Sequence, residues 1–296
     1  MATKKSWFPY AMISVAVIVS MVMNVYPLLL AIFMSFQNFV GSSNHFVGLY
    51  NYISVLTDPT FWFVFEVTIV WTILVVSFSG LLGLGTALLL NEEYRFRGIV
   101  RSIIIIPWVA PPVVIAYIWV WIYSAGFSPI SDFLERVHLI SGPIYWLSDL
   151  SIKVGPLSFP LLSLVLVGVW AGFPFVAVVF LAALQSIPRE VLDAADIDSA
   201  SSWQKFRHIT LPLIAKVGQI SILLSTIWTF NQFVYPYLMT KGGPLNFTDV
   251  LSVFIYQKAF TDFNFGYATA AAVVMTTFSG IFVALYIISS YRSLFE

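Results

Sequence analysis

Long apolar runs alternate with short polar segments along almost the whole chain. Six runs are each long enough to cross the hydrocarbon core of a bilayer as a helix of roughly 20 residues. They cover residues 11–33, 61–90, 102–123, 157–184, 213–239 and 265–289. Because a helix satisfies all its backbone hydrogen bonds within one segment, it suits a lipid environment. The pattern therefore predicts an all-α, polytopic membrane protein with six transmembrane helices.

The composition supports this prediction and does not fit an ordinary soluble domain. Of the 296 residues 59% are apolar and 17% are aromatic, whereas only 9% are charged; soluble domains are about 45–50% apolar. The first run follows Lys4 and Lys5 but is too long for the apolar core of a signal peptide, so we expect it to be retained as a helix. Prolines inside the runs are tolerated where neighbouring groups satisfy the freed carbonyls. They include Pro27, Pro107, Pro111, Pro112, Pro174 and Pro236.

The basic residues predict the orientation of the chain. With the N-terminus in the cytoplasm, ten lysines and arginines fall in cytoplasmic segments and four in external ones. The ten are Lys4, Lys5, Arg95, Arg97, Arg101, Arg189, Lys205, Arg207, Lys216 and Arg292; the four are Arg136, Lys153, Lys241 and Lys258. Because positive charge concentrates on the cytoplasmic side, both termini are predicted to be cytoplasmic. No basic patch suggests nucleic acid, and the absence of cysteine excludes disulfides and thiolate metal sites.

The sequence contains no pattern typical of an enzyme or of an ATP-binding site. The segment 80–85, GLLGLG, has no phosphate-loop lysine and lies inside a predicted helix, where small residues let helices approach closely. The histidines His45, His138 and His208 fall in separate loops, which makes a metal cluster improbable. Glu66 is the only acidic residue within a predicted span, and it suits either the membrane interface or a proton site.

One polar segment stands out from this apolar background, at about residues 186–212. Glu190 and Asp193 favour the N-terminal end of a helix that reaches about residue 197. Ser201 and Gln204 fit a capping box that opens a second short helix. Helices this short are marginal alone in water. Their apolar residues, Trp203 among them, therefore need a partner surface, which a simple solvated connector would not explain.

This segment resembles the E-A-A-x-x-D-G-A…F…I-x-L-P motif of ATP-binding-cassette (ABC) importer permeases. The matching residues are Ala194, Ala195, Asp198, Ala200, Phe206, Ile209, Leu211 and Pro212. The chain departs from the motif at Asp193, where glutamate is usual, and at Ser199, where glycine is usual. If that turn needs a left-handed backbone, serine costs on the order of 1 kcal/mol relative to glycine. Further segments, FVGLYNY at 46–52, TKGGPLNFT at 240–248 and AFTDFNFGYATA at 259–270, are similar to carbohydrate-importer permeases of the maltose/glycerol-phosphate class.

The resemblance implies a single permease domain over residues 1–296 with the type I importer fold, in the cytoplasmic (inner) membrane. It also implies that the polar segment is a coupling helix that docks on a separate ATPase, which uses ATP and Mg while this chain binds no cofactor. The implied partners are a homologous second permease, two ATPase subunits and an extracytoplasmic solute-binding protein. The implied solute is a carbohydrate, with a polyol or glycerol-phosphate-like solute as the alternative. An ion-coupled secondary transporter would need a carboxylate at depth, and a membrane-embedded enzyme would need a catalytic cluster.

A polar stripe in the fifth run indicates where a solute could pass. Ser225, Trp228, Thr229 and Gln232 are spaced to lie on one helical face. Polar groups on one stripe face either another helix or a wet cavity rather than lipid. The resemblance to maltose-type permeases favours the cavity and adds the GFPF turn, with Gly172 and Phe175, as a second pathway segment. Asn231 lies off the stripe.

Overall fold

The computed structural model describes residues 8–40, 43–126 and 128–295, which are overwhelmingly helical. The helices are α1 (Phe8–Ser20), α2 (Tyr26–Ser35), α3 (Tyr50–Thr57), α4 (Pro59–Asn91), α5 (Arg97–Val109), α6 (Pro112–Ile122), α7 (Pro129–Arg136), α8 (Phe159–Gln185), α9 (Arg189–Ile197), α10 (Ser202–Lys205), α11 (Leu211–Phe230), α12 (Val234–Thr240), α13 (Leu251–Phe260) and α14 (Phe265–Phe295). Two π-helical turns, Met21–Val25 and Phe206–Thr210, join α1 to α2 and α10 to α11. Two small antiparallel hairpins pair β1 (Gln37–Val40) with β2 (Ser43–Phe46) and β3 (Lys153–Val154) with β4 (Leu157–Ser158).

The prediction of an all-α, polytopic membrane protein is confirmed. In the part of the chain that the structure describes, five helical stretches are long and apolar enough to cross a membrane. They are Met12–Ser35, Pro59–Asn91, Phe159–Gln185, Ser202–Thr240 and Phe265–Ser289. A sixth span results if α5 and α6 count as one.

The third predicted span is not a single helix. Instead of one helix over residues 102–123, the structure has α5 and α6, which meet at an angle of 94°. The backbone is extended at Ala110 and Pro111, with ψ of 139° and 131°. Each of these residues precedes a proline, and the proline ring disfavours helical backbone at the position before it. The sequence APP therefore ends one helix and starts another.

The fifth predicted span also differs from the expectation, at both of its ends. The second short helix of the polar segment is not separate, because α10 continues through the π-helical turn into α11. In that turn the Leu211 N–H donates to the Phe206 carbonyl, and Pro212, which has no N–H to donate, follows within the first turn of α11. At the other end, α11 stops at Phe230 and a short break precedes α12.

The chain forms two compact units, the first made of residues 1–61 and 255–278. Within its described part, the Asn51 amide donates to the carbonyls of Ser35 and Gln37, at 2.9 and 2.8 Å. Gly266 packs directly on the Gln37 carbonyl, where a side chain would not fit. The Tyr267 hydroxyl donates to Asp58 at 2.7 Å. The FVGLYNY and FNFGYA segments, distant in sequence, thus meet in one polar junction.

The second unit, residues 62–254 and 279–296, contains a large apolar core around α8. Helix α8 packs against α5, α6, α11 and α12. Glycines allow two close approaches: a Cβ on Gly83 of α4 would lie 2.7 Å from Val176, and one on Gly168 of α8 would lie 2.8 Å from Trp71. The prediction that small residues of the GLLGLG segment let helices approach is confirmed at Gly83.

Candidate functional site

A cavity of about 140 Å³ lies within the second unit, among α4, α8 and α11. All six residues that the sequence predicts for a solute pathway line it: Gly172, Phe175, Ser225, Trp228, Thr229 and Gln232. The remaining lining residues are Trp71, Val75, Val76, Ser79, Trp108, Gly168, Ala171 and Tyr235. The GFPF turn of α8 and the polar stripe of α11 therefore face the same space.

Three aromatic rings form a row along one side of the cavity. Phe175 of α8 is in the middle, with its ring centroid 5.6 Å from that of Trp108 and 5.0 Å from that of Trp228. Trp108 is 47% exposed and Trp228 52%, so both keep ring surface free. The three rings offer apolar faces, and each of the two tryptophans also carries an indole N–H that can donate a hydrogen bond.

Trp71 holds the wall on the α4 side in place. Its indole Nε1–H donates to the Thr229 carbonyl at 3.1 Å, near the C-terminal end of α11. The same carbonyl also accepts the Gln232 N–H at 3.1 Å, so it serves two donors at the end of α11. Gly168 allows the Trp71 ring to pack against the backbone of α8. The contact fixes α4, α8 and α11 around the cavity.

Gln232 reaches the cavity for a reason other than the predicted one. Helix α11 ends at Phe230, so Gln232 is not on the helical face of Ser225 and Trp228. It lies in the break, where its Oε1 accepts the N–H groups of Phe233 and Val234 at 3.0 and 3.1 Å. The Gln232 side chain therefore caps the start of α12. Asn231 does not line the cavity, and its amide donates to the Ile227 carbonyl.

The cavity wall is mainly apolar, and the polar groups in it are uncharged. Among the described residues that line it there is no Asp, Glu, Lys, Arg or His. Its polar groups are hydroxyls, one amide, indole N–H groups and backbone. An uncharged wall of this kind suits hydrogen bonding to a neutral solute, because a desolvated ion would lack a counter-charge.

Sequence reasoning missed the part of the wall that comes from α4 and α5. Trp71, Ser79 and Trp108 belong to runs that read as uniformly apolar membrane helices. The prolines around Trp108 were the available signal, because they end α5 beside the cavity. Trp71 and Ser79 face the cavity through long-range packing, which leaves no local pattern.

The first helix and the capping box of the polar segment form as predicted, whereas the second helix is continuous with α11. Helix α9 covers Arg189–Ile197, and Ser201 and Gln204 form a reciprocal capping box at 3.3 and 2.8 Å. Between the helices Ser199 has a φ of 54°, in the left-handed region that glycine adopts most easily. Lys205 pairs with Asp196 at 2.7 Å and ties α10 to α9.

The residues of the predicted coupling motif differ in exposure. Asp193, Ala194, Asp198 and Ser199 are exposed, whereas Ala195 is buried under the turn and Ala200 and Phe206 are half-buried. Leu211 and Pro212 are exposed but belong to the first turn of α11. Large apolar side chains remain uncovered beside them, with Ile197 84% and Trp203 64% exposed.

Comparison with known proteins identifies the family. The family described as "Binding-protein-dependent transport system inner membrane component" matches residues 79–292, a stretch that includes the cavity and the polar segment. The match covers well over half of the chain.

Curated relatives carry transport names. The chain is 35% identical over 231 residues to the inner membrane ABC transporter permease protein YcjO of Escherichia coli, covering 78% of this chain and 75% of the relative. It is 35% identical over 234 residues to the trehalose/maltose transport system permease protein MalF of Thermococcus litoralis, covering 79% and 75%. The sulfoquinovosyl glycerol transport system permease protein SmoG of Agrobacterium fabrum is 31% identical over 275 residues, covering 92% and 86%.

The fold agrees with a solved structure of a transporter. A bacterial ABC transporter that imports the acidic polysaccharide alginate contains a chain with a TM-score of 0.85 and 23% identity, covering 98% of this chain and 96% of that one. A second structure shows a bacterial alginate ABC transporter in complex with an alginate pentasaccharide-bound periplasmic protein. Its matching chain has a TM-score of 0.84 and 22% identity, and the match again covers 98% of this chain and 96% of that one. From its sequence family, its relatives and its fold, the chain belongs to the binding-protein-dependent transport system inner membrane components, the permease components of ABC transporters.

Proposed function

We propose that this chain is the membrane-spanning permease subunit of an ATP-driven, binding-protein-dependent importer of a carbohydrate, either a monosaccharide or an oligosaccharide. The cavity carries the proposal. It combines an aromatic row with uncharged hydrogen-bonding groups, which suits the apolar ring faces and the hydroxyls of a sugar. Relatives named as trehalose/maltose and sulfoquinovosyl glycerol transport permeases give further support.

The chain would not hydrolyse ATP itself. A separate pair of ATPase subunits would bind ATP and Mg, a homologous second permease would complete the pathway, and an extracytoplasmic solute-binding protein would deliver the sugar. The alginate transporter crystallised with its periplasmic protein supports the last of these. All of residues 1–296 would form one permease domain in the inner membrane, with the coupling loop at about residues 186–212.

The distribution of basic residues supports the proposed orientation. Ten basic residues against four favour cytoplasmic termini and a cytoplasmic polar segment.

Closure of the ATPase dimer would push α9 and the turn at Ser199. Because α10 continues into α11, this push would reach Ser225 and Trp228 directly along one helix. We propose that the cavity thereby opens alternately to the two sides of the membrane.

The test of this proposal is solute uptake by a Trp228→Ala variant. Removing the ring takes away one stacking surface and its contact with Phe175, so uptake of the transported sugar should fall about tenfold to a hundredfold at equal membrane expression. Trp121→Ala is the matched control, because Trp121 is 60% exposed and does not line the cavity. Its uptake should stay within about twofold of the unmodified protein.

Normal uptake by Trp228→Ala would mean that the stripe only packs helices. Gln232→Ala is less informative as a first test, because it also removes the cap of α12.

A further inference from the structure

Ser79 of α4 has an unusual position in the cavity wall. It is 2% exposed, and its Oγ makes no hydrogen bond within the part of the chain that the structure describes. Serine and threonine hydroxyls inside helices commonly donate to the carbonyl four residues earlier. Two buried threonines of the same helix do so, Thr68 to Val64 and Thr72 to Thr68, each at 2.7 Å. The Ser79 hydroxyl lacks such a bond.

The hydroxyl faces Gly172 across the cavity wall. A Cβ placed on Gly172 would lie 3.3 Å from the Ser79 Oγ, so the missing side chain of Gly172 leaves the hydroxyl open. Both residues line the cavity with the Phe175 ring. A buried hydroxyl without a partner is unfavourable, so a ligand that supplies the missing partner gains affinity and orientation.

The wall limits the charge of that ligand. Since no charged residue lines the described cavity, a carboxylate or sulfonate next to Ser79 would be desolvated without a cation to balance it. One relative is named for the transport of sulfoquinovosyl glycerol, and the solved structure of similar fold belongs to an importer of the acidic polysaccharide alginate. The wall of this cavity fits a neutral hydroxyl instead.

We propose that Ser79 is a solute-binding residue, which forms with Gly172 a notch for a hydroxyl group of a neutral saccharide. The inference rests on the proposed function and adds α4 to the elements that select the solute. It also predicts discrimination against acidic saccharides at this point of the pathway.

The first test measures whether position 79 is open to the cavity. The chain has no cysteine, so Ser79→Cys introduces a single thiol. In the purified protein that thiol should react with the small neutral reagent methyl methanethiosulfonate. Ser221→Cys is the matched control, because Ser221 is 1% exposed, does not line the cavity and bonds to the Gly218 carbonyl. We expect the thiol at position 221 to react at least about tenfold more slowly. Equal rates at both positions would contradict the proposal that the side chain at position 79 is open to the cavity.

The second test measures uptake by the complete transporter. Radiolabelled maltose, trehalose and lactose serve as neutral probes, and a disaccharide containing glucuronic acid serves as the acidic probe. Ser79→Ala should lower uptake of the transported neutral sugar about tenfold, because one hydrogen bond to the solute is lost. Ser221→Ala should leave uptake within about twofold. Unchanged uptake by Ser79→Ala, or preferred uptake of the acidic probe by the unmodified protein, contradicts the proposal.

The two tests separate this inference from the proposed function. If the unmodified transporter takes up no saccharide at all, the carbohydrate function and its neutral-sugar refinement both fail. The labelling rates at positions 79 and 221 still report whether the notch exists. If uptake occurs and Ser79→Ala matches the unmodified protein, the function stands and only the role of Ser79 fails.

Discussion

At Ser199 the backbone between α9 and α10 enters the left-handed region, with a φ of 54°. A residue with a Cβ is strained there by about 1 kcal/mol compared with glycine. The turn nevertheless closes, because the N–H of Ser199 donates to the Asp196 carbonyl and that of Ala200 to the Ala195 carbonyl, both at 3.0 Å. The strain is therefore local and offset by neighbouring hydrogen bonds.

Ser199→Gly should stabilise this turn by up to about 1 kcal/mol. The measurement is hydrogen–deuterium exchange at the Ala200 amide, which should slow up to about fivefold if opening of the turn governs exchange. Ala200→Gly is the control, because Ala200 does not have a positive φ and glycine there only adds freedom to the unfolded chain. Faster exchange in Ser199→Gly would show that the serine side chain supports the turn.

The residue-scale features were predictable where they depend on neighbours in sequence. The capping box of Ser201 and Gln204 follows from a few adjacent positions, whereas the left-handed turn at Ser199 was suggested only by the glycine that the similar motif has there. The open hydroxyl of Ser79 was not predictable, since it depends on Gly172, which lies on another helix.

At the scale of elements, glycines set how closely helices pack. A Cβ on Gly218 of α11 would lie 2.5 Å from the Phe180 ring of α8. Gly218→Ala should therefore push the two helices apart and cost about 1–3 kcal/mol. The expected result is a melting temperature several degrees lower in detergent.

Gly85→Ala provides the matched control for this change. Gly85 is also in a membrane helix, yet a Cβ there meets nothing within 4 Å. Alanine at position 85 should leave the melting temperature unchanged or raise it slightly, because it favours helix. Equal melting temperatures for the two variants would show that the contact between α8 and α11 adapts freely.

The exposed apolar residues of the polar segment lead to a prediction about coupling. Ile197 is 84% exposed at the end of α9, next to the exposed Asp198. If this surface docks on the ATPase, Ile197→Asp or Asp198→Lys should lower co-purification of the ATPase at least about tenfold. Ala195 is less suitable for this test, because it is buried and a larger side chain would disturb α9 itself.

Leu139→Asp is the control for the coupling surface. Leu139 is 72% exposed but belongs to a predicted external segment, so ATPase binding should be unaffected.

In the cysteine-free background, Ser199→Cys should be labelled by an impermeant maleimide only from the cytoplasmic side. Full co-purification with Ile197→Asp, or labelling of position 199 from outside intact cells, would rule out the proposed coupling surface.

The elements themselves were only partly predictable. The six apolar runs predicted the approximate positions of the spans, because hydrophobic length is a local property, and their number agrees only if α5 and α6 count as one span. The bend between α5 and α6 and the break after Phe230 were missed. Membrane helices tolerate prolines, so Pro111 and Pro112 alone did not distinguish a kinked helix from two helices. The break after Phe230 depends on Gln232, whose side chain caps α12.

At the scale of the whole molecule, the permease family and fold account for the membrane spans, the polar segment and the cavity together. In the proposed function, the cavity would line the solute pathway and the polar segment would bind a partner subunit. ATP hydrolysis by separate subunits would then supply the energy for transport.

The most direct test is uptake into proteoliposomes that contain this chain, its partner permease and the ATPase subunits, with the solute-binding protein outside and ATP enclosed. The account predicts that a neutral sugar accumulates only when hydrolysable ATP, the solute-binding protein and this chain are all present. It also predicts that Trp228→Ala reduces the rate about tenfold or more in the same vesicles. Equal accumulation without ATP, or without this chain, would contradict the account.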